Sequence, residues 1–372
     1  MQSGLHRRAA LSAASLPAAV LLAALSGGIL GGCSFQPLVP WSRDLAPLSL
    51  GAGEELTLVD GRGRFREIFC TVNRDHGESL PDYRPCEEAL THIGIEPPAT
   101  GAPVPLGASE QDLLVLMVPG FGYQCVKNWL DHDYSAPLHL AEHGYQVELL
   151  EVNGLASSAA NAAAIREFIA NLPPGKAGRP LVLIGYSKGA PDILESLVAY
   201  PELAQTVVAV VSFAGAVGGS PLADSVTRSR MELLTKVPRS ECDSGDGGAL
   251  QSLSTEYRRQ WIREQELPAD IRYYSVIAFP DPETRISTGL KPSWREISEK
   301  ADARNDSQLI FYDQALPGST LLAFTNADHW AMAVPVARQH AFAAATFANR
   351  NDFPREVMLE ALLRYIEEDL AR

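Results

Sequence analysis

One short stretch limits the fold of this chain more than any other. The apolar run Leu181-Val182-Leu183-Ile184 leads without a break into Gly185-Tyr186-Ser187-Lys188-Gly189, and Pro191 to Tyr200 then reads as a helix. A run with no polar side suits a strand covered on both faces. A helix that follows such a strand directly is half of a strand–helix–strand crossover, which connects parallel strands. Glycines two places before and two places after Ser187 mark a crowded bend, with small residues where the backbone of strand and helix nearly touch. Such a bend lifts a serine hydroxyl clear of the sheet and points the unpaired N–H groups of the next helix toward it. The plain alternative is a glycine-bracketed turn with no chemistry.

The rest of the chain continues this alternation. Leu113 to Val118 is a buried-strand pattern closed by Pro119-Gly120, and Tyr145 to Leu150 is the next. A helix spans Ala159 to Ala170 and ends at Pro173-Pro174-Gly175. Val207 to Phe213, Ile271 to Phe279 and Thr320 to Thr325 read as strands, and Phe353 to Leu370 as a closing amphipathic helix. This order predicts an α/β fold, a mainly parallel sheet with helices on both faces. Ser220 to about Pro268 is polar and too long for a crossover loop, so a cap inserted between two strands is expected there. Residues 61–72 alternate, with Arg64, Arg66 and Ile68 against Phe65, Glu67 and Phe69; they predict an edge strand with a solvated arginine side. The expected organisation is a leader over 1–32, a tether and amino-terminal extension over 33–110, and the α/β domain over 111–372 with its cap at about 220–268.

The amino terminus reads as an export signal. His6, Arg7 and Arg8 precede an apolar run from Ala9 to Leu30, which ends in Leu30-Gly31-Gly32-Cys33. That ending resembles the bacterial lipobox, which implies lipidation of Cys33. Ser34 in the next position resembles lipoproteins sorted to an outer membrane. An uncleaved membrane anchor is the other reading. Either one places the folded part outside the cytoplasm, the lipid-anchored form at the cell envelope facing the periplasm. A net charge of −14 argues against nucleic-acid partners. Of five cysteines, Cys70, Cys86, Cys125 and Cys242 remain once Cys33 is set aside. They allow three pairings; Cys70 with Cys86 is the local choice, leaving Cys125 with Cys242. No cysteine or histidine cluster has zinc spacing along the chain, so neither metal nor cofactor is expected.

The Gly185–Gly189 pentapeptide between strand and helix, with the turn Pro119-Gly120-Phe121-Gly122, resembles the α/β-hydrolase superfamily. Ile271-Arg272-Tyr273-Tyr274-Ser275 is similar to a stretch of bacterial true lipases. The resemblance covers about residues 112 to 336, and the first hundred residues match no family. It implies Ser187 as nucleophile, with the backbone N–H groups of Phe121 and Lys188 as the oxyanion hole. Pro119 stands where that family often has histidine. The base should follow the last strand, which singles out His329 among eight histidines. The acid should lie between serine and base. Asp281 ends the penultimate strand, and Asp306 lies in Asn305-Asp306-Ser307-Gln308-Leu309. The latter is similar to the Asn-Asp-Gly-Leu-Val stretch of bacterial lipases, with Ser307 in place of glycine. That likeness favours Asp306 and leaves Asp281 as the alternative. Asp328 reads as a turn residue; Trp330 and Met332 read as core, with lining of an acyl pocket near the base as the other reading.

The expected function is therefore a serine hydrolase that cleaves a small-molecule or lipid carboxylic ester, lipase- or esterase-like, through an acyl-enzyme. Two other readings fit the same letters. One is a peptidase or thioesterase with the same triad. The other is a non-catalytic envelope binding protein of the same fold.

Overall fold

The structure is a computed structural model and describes residues 35–44, 58–127, 135–225 and 242–372. Cys33, the leader and most of the tether lie outside the described residues, as do residues 226–241 of the expected cap. The fold is α/β, built on a seven-stranded sheet: β1 (Val59–Asp60), β2 (Leu114–Val118), β3 (Gln146–Leu149), β4 (Leu181–Tyr186), β5 (Val207–Phe213), β6 (Arg272–Ala278) and β7 (Thr320–Thr325). Their spatial order is β1-β7-β6-β5-β4-β2-β3, and every pairing is parallel. The principal helices are α1 (Arg62–Asp75), α2 (Ser135–Glu142), α3 (Ser158–Ala170), α4 (Gly189–Ala199), α5 (Thr255–Glu264), α6 (Lys291–Lys300) and α7 (Arg355–Leu370).

The two-residue period of a strand sorts the core into two layers. Leu114, Leu116 and Val118 of β2, with Leu181 and Leu183 of β4, pack against Ile165 of α3 and Ile193, Leu194 and Leu197 of α4. The intervening Val115, Val182 and Ile184 face the other way, toward Phe65 and Phe69 of α1 and Leu362 and Ile366 of α7. Each fully buried side chain of this size contributes roughly 1.5–3 kcal/mol. The absence of a polar side in the β4 run thus follows from having helices on both faces.

Residues 61–72 form most of a helix, not an edge strand. Phe65, Ile68, Phe69 and Val72 recur at helical spacing, and all four are buried. The alternating arginines misled because they are not solvated. Arg62 bonds Asp60 at 2.7 Å and the carbonyl of Ile93, and Arg64 bonds Glu368 at 2.6 Å and the carbonyls of Ala102 and Pro103. The buried arginines tie this amino-terminal helix to α7 and to the proline-rich loop.

Two disulfides are present, Cys70–Cys86 and Cys125–Cys242. The second joins the loop after β2 to the segment between β5 and β6. The described part of that segment is also held to the rest of the fold by side chains. Asp246 accepts from the backbone N–H of Ser157 at 2.7 Å and from its hydroxyl at 2.5 Å. Arg258 of α5 is buried, donates to the carbonyl of Val217 and lies 4.5 Å over Trp261. Burial lowers its guanidinium pKa to about 10, against the pull of Glu195. No helix among the described residues is long and apolar enough to cross a membrane.

Candidate active site

Ser187 sits at the bend between β4 and α4 with a φ of +53°. Few non-glycine residues adopt this left-handed conformation, which costs roughly 1–2 kcal/mol. The glycines on either side make the bend possible. A Cβ on Gly189 would lie 2.1 Å from the carbonyl oxygen of Val118, and one on Gly185 would lie 2.5 Å from the backbone of Ala190. The turn after β2 closes on the same point, where a Cβ on Gly120 would lie 2.8 Å from that of Ser187. The structure therefore brings Phe121 and Lys188, the two expected oxyanion donors, to the segments that flank the serine.

His329 begins a short helix, His329–Ala333, just past β7. Its Nε2 is 2.9 Å from Ser187 Oγ, and its Nδ1 is 2.7 Å from Asp306 Oδ2. Its backbone N–H also donates to the carbonyl of Asp306 at 2.9 Å. Asp306 is buried and fixed from behind. Its Oδ1 accepts the N–H groups of Gln308 and Leu309, at 2.9 and 2.7 Å. The structure thus brings Ser187, His329 and Asp306 together in one hydrogen-bonded line. Asp281 is engaged elsewhere: its Oδ1 accepts from the N–H groups of Glu283 and Thr284, and its Oδ2 lies 3.8 Å from Arg43.

Three neighbours of this line carried no signal that stood out in the sequence. Gln314 donates from Nε2 to Asp306 Oδ2 at 3.3 Å and to the carbonyl of Ala278, while its Oε1 accepts the N–H of Ala278. It belongs to a single turn, Phe311–Gln314, too short to show periodicity. Tyr186 stacks on the imidazole at 5.1 Å and donates its hydroxyl to the carbonyl of His329; burial, then the charges of Asp306 and Asp328, raise its pKa well above the ordinary value. Asp328, read from sequence as a turn residue, caps the helix that carries His329. It accepts the N–H of Ala331 at 2.9 Å and that of Ser287 at 2.7 Å. Burial raises its pKa to about 6, against the hydrogen bonds from Ser287 and Ala331.

Lys188 is fully buried, and its ammonium pairs with Asp192 at 2.8 Å. Asn161 donates to the same carboxylate at 2.7 Å, which leaves the cation balanced inside the first turn of α4. Beside Ser187 lies a small apolar group of Ala216, Leu253 and Leu309, with Phe121 and Ala223 packed against it. The N–H of Ala216 donates to the carbonyl of Ser187, which fixes this group next to the bend. Met332 is in the core and Trp330 faces Phe347, at 6.4 Å.

Ser307 stands where the lipase-like stretch has glycine, and its φ is +85°. Its hydroxyl is buried without a partner. Replacement by glycine removes both costs and adds the chain entropy that glycine loses on folding. The expected net result of Ser307→Gly is a gain of about 1 kcal/mol. Urea unfolding of the two proteins side by side measures it, and a loss of stability would show that the turn does not strain this residue.

Comparison with solved structures places the fold among known proteins. A metagenomic carboxyl esterase, MGS0156, superposes with a TM-score of 0.78 at 39% identity, over 86% of this chain and 97% of that one. The mature lipase BlEst2 of Bacillus licheniformis gives a TM-score of 0.48 at 18% identity, over 62% of this chain and 89% of that one. No protein-family profile matches the chain, and no curated protein matches it significantly.

Proposed function

The chain belongs to the α/β-hydrolase family of that carboxyl esterase, and from this membership we propose that it hydrolyses carboxylic esters through an acyl-enzyme formed on Ser187. The observation that carries the reading is the unbroken line from Asp306 through His329 to Ser187. Ser187 Oγ attacks the ester carbonyl while His329 Nε2 takes its proton. Asp306 holds the Nδ1–H tautomer and stabilises the imidazolium as it forms. The backbone N–H groups of Phe121 and Lys188 receive the oxyanion, each contributing about 3 kcal/mol on the usual mutational scale. His329 then returns the proton to the departing alcohol, and water releases the acid by the same route in reverse. Phe121, Ala216, Leu253 and Leu309 cluster where the N–H of Ala216 meets the carbonyl of Ser187, and they are assigned to the acyl group.

The setting is assigned with the same reading. The leader pattern supports export and attachment to a membrane through Cys33. Two disulfides in one chain fit an oxidising compartment.

A fluorophosphonate probe tests the chemistry. The expected result is one adduct per chain on the peptide containing Ser187, together with turnover of p-nitrophenyl esters that outpaces the matching anilides. A folded protein that takes up no probe returns the chain to the reading of a binding protein on a hydrolase scaffold.

A further inference from the structure

Away from the site described above, three imidazoles converge on one carboxylate. Glu360 lies in the middle of α7 and is fully buried. Its Oε2 is 2.9 Å from His76 Nδ1, 2.7 Å from His139 Nε2 and 3.9 Å from His143 Nε2. His76 closes the end of α1, His139 lies in α2, and His143 follows α2 directly. The rings of His76 and His143 stack at 4.5 Å, and those of His139 and His143 meet edge-on at 4.7 Å. All four ligand atoms lie within 4.8 Å of one another.

We infer that His76, His139, His143 and Glu360 form a binding site for a zinc-class divalent cation that staples α1 and α2 to α7. Three nitrogens and one carboxylate oxygen are a tetrahedral zinc donor set, and bond lengths near 2.0–2.1 Å would place the donors about 3.3 Å apart. The three approaches to Glu360 Oε2, 2.7, 2.9 and 3.9 Å, bracket that spacing. Hydrogen bonding alone accounts for His76 and His139, each of which can donate to Oε2. It does not account for His143, whose Nε2 lies 3.9 Å from the same oxygen, beyond hydrogen-bonding distance. A central cation gives that nitrogen a partner.

The surroundings support a ligand role. Arg364 Nε holds the other oxygen, Oε1, at 2.7 Å, so the carboxylate is oriented from behind with Oε2 facing the imidazoles. The charge of Arg364 is in turn held by the carbonyls of Pro105, Leu106 and Gly107. The side chains of His76 and His143 keep 22% and 18% of their exposure, which gives an ion a route from solvent. Spacing along the chain concealed the set, since it joins residues 76, 139, 143 and 360. The only local sign is the four-residue step from His139 to His143, which places two histidines on one side of a helical turn.

The test uses protein made without a histidine tag, stripped with a chelator and titrated with Zn²⁺. The expected result is one zinc per chain by elemental analysis, a higher Tm on addition of Zn²⁺, and tetrahedral visible bands with Co²⁺. In His143→Ala the bonds from His76 and His139 to Glu360 remain, so the fold is kept. Its zinc affinity should fall by more than the roughly 10–100-fold that loss of a mere supporting partner costs, while ester turnover stays at the wild-type rate. A stripped wild type whose Tm ignores Zn²⁺ overturns the inference. So does a His76→Ala/His143→Ala double variant that binds zinc as tightly as wild type. Neither result bears on the hydrolase chemistry, because no residue of this cluster belongs to it.

Discussion

Ser187→Ala is expected to lower kcat for a p-nitrophenyl ester by a factor on the order of 10⁶, with the fold unchanged. Alanine keeps the Cβ and the same left-handed conformation at φ +53°, so the strain of the bend is neither relieved nor increased. The lost hydroxyl makes one hydrogen bond in the described structure, to His329 Nε2. A surface-proximal loss of this kind should move unfolding free energy by less than about 0.5 kcal/mol. Any residual rate reflects the oxyanion amides and binding, which do not depend on the hydroxyl. Progress curves at substrate saturation, read with the circular dichroism spectrum of the same sample, make the measurement. A variant that is folded and still turns over at wild-type rate removes the acyl-enzyme proposal.

Asp306→Asn should cost about 10⁴-fold in kcat, whereas Asp281→Asn should leave turnover within about twofold of wild type. The difference comes from hydrogen-bond direction. The Oδ1 of residue 306 must keep accepting the N–H groups of Gln308 and Leu309, which forces the new amide nitrogen toward His329 Nδ1. A donor at that position requires Nδ1 to be the acceptor, so the proton moves to Nε2, where it blocks the imidazole from receiving that of Ser187. Gln314 cannot rotate to compensate, because Ala278 holds both ends of its amide. Asp281 caps its own turn, with its carboxylate on Glu283, Thr284 and Arg43. Should the two variants exchange these effects, the acid has been assigned to the wrong carboxylate.

These contrasts also show what could be read from the residues. Strands whose two sides are both buried announce themselves as continuous apolar runs, and β2, β4, β5, β6 and β7 lie within a residue or two of where the sequence predicts them. Ser187 was legible because it follows directly on such a run, and His329 because it lies four residues past the last one. Asp306 was reached by likeness to a known stretch, not by periodicity, since it sits in an irregular loop. Helix α1 was misread because alternating arginines look like the wet side of a strand until their partners, residues 60 and 368 among them, are known. Gln314, Tyr186 and the histidine cluster around Glu360 depend on contacts between distant segments, of which the step from His139 to His143 is the one local trace.

The closeness of backbone at the bend has an evolutionary consequence. Val118 presses its carbonyl against Gly189 so tightly that no methyl group fits between them. The segment bearing Ser187 and the turn bearing Phe121 therefore meet in one tightly packed joint. A lineage seeking new substrates has little freedom there. Its adaptive changes should accumulate at Leu253, Leu309 and Phe121, where a swap of side chain would reshape the proposed acyl surface without disturbing the joint.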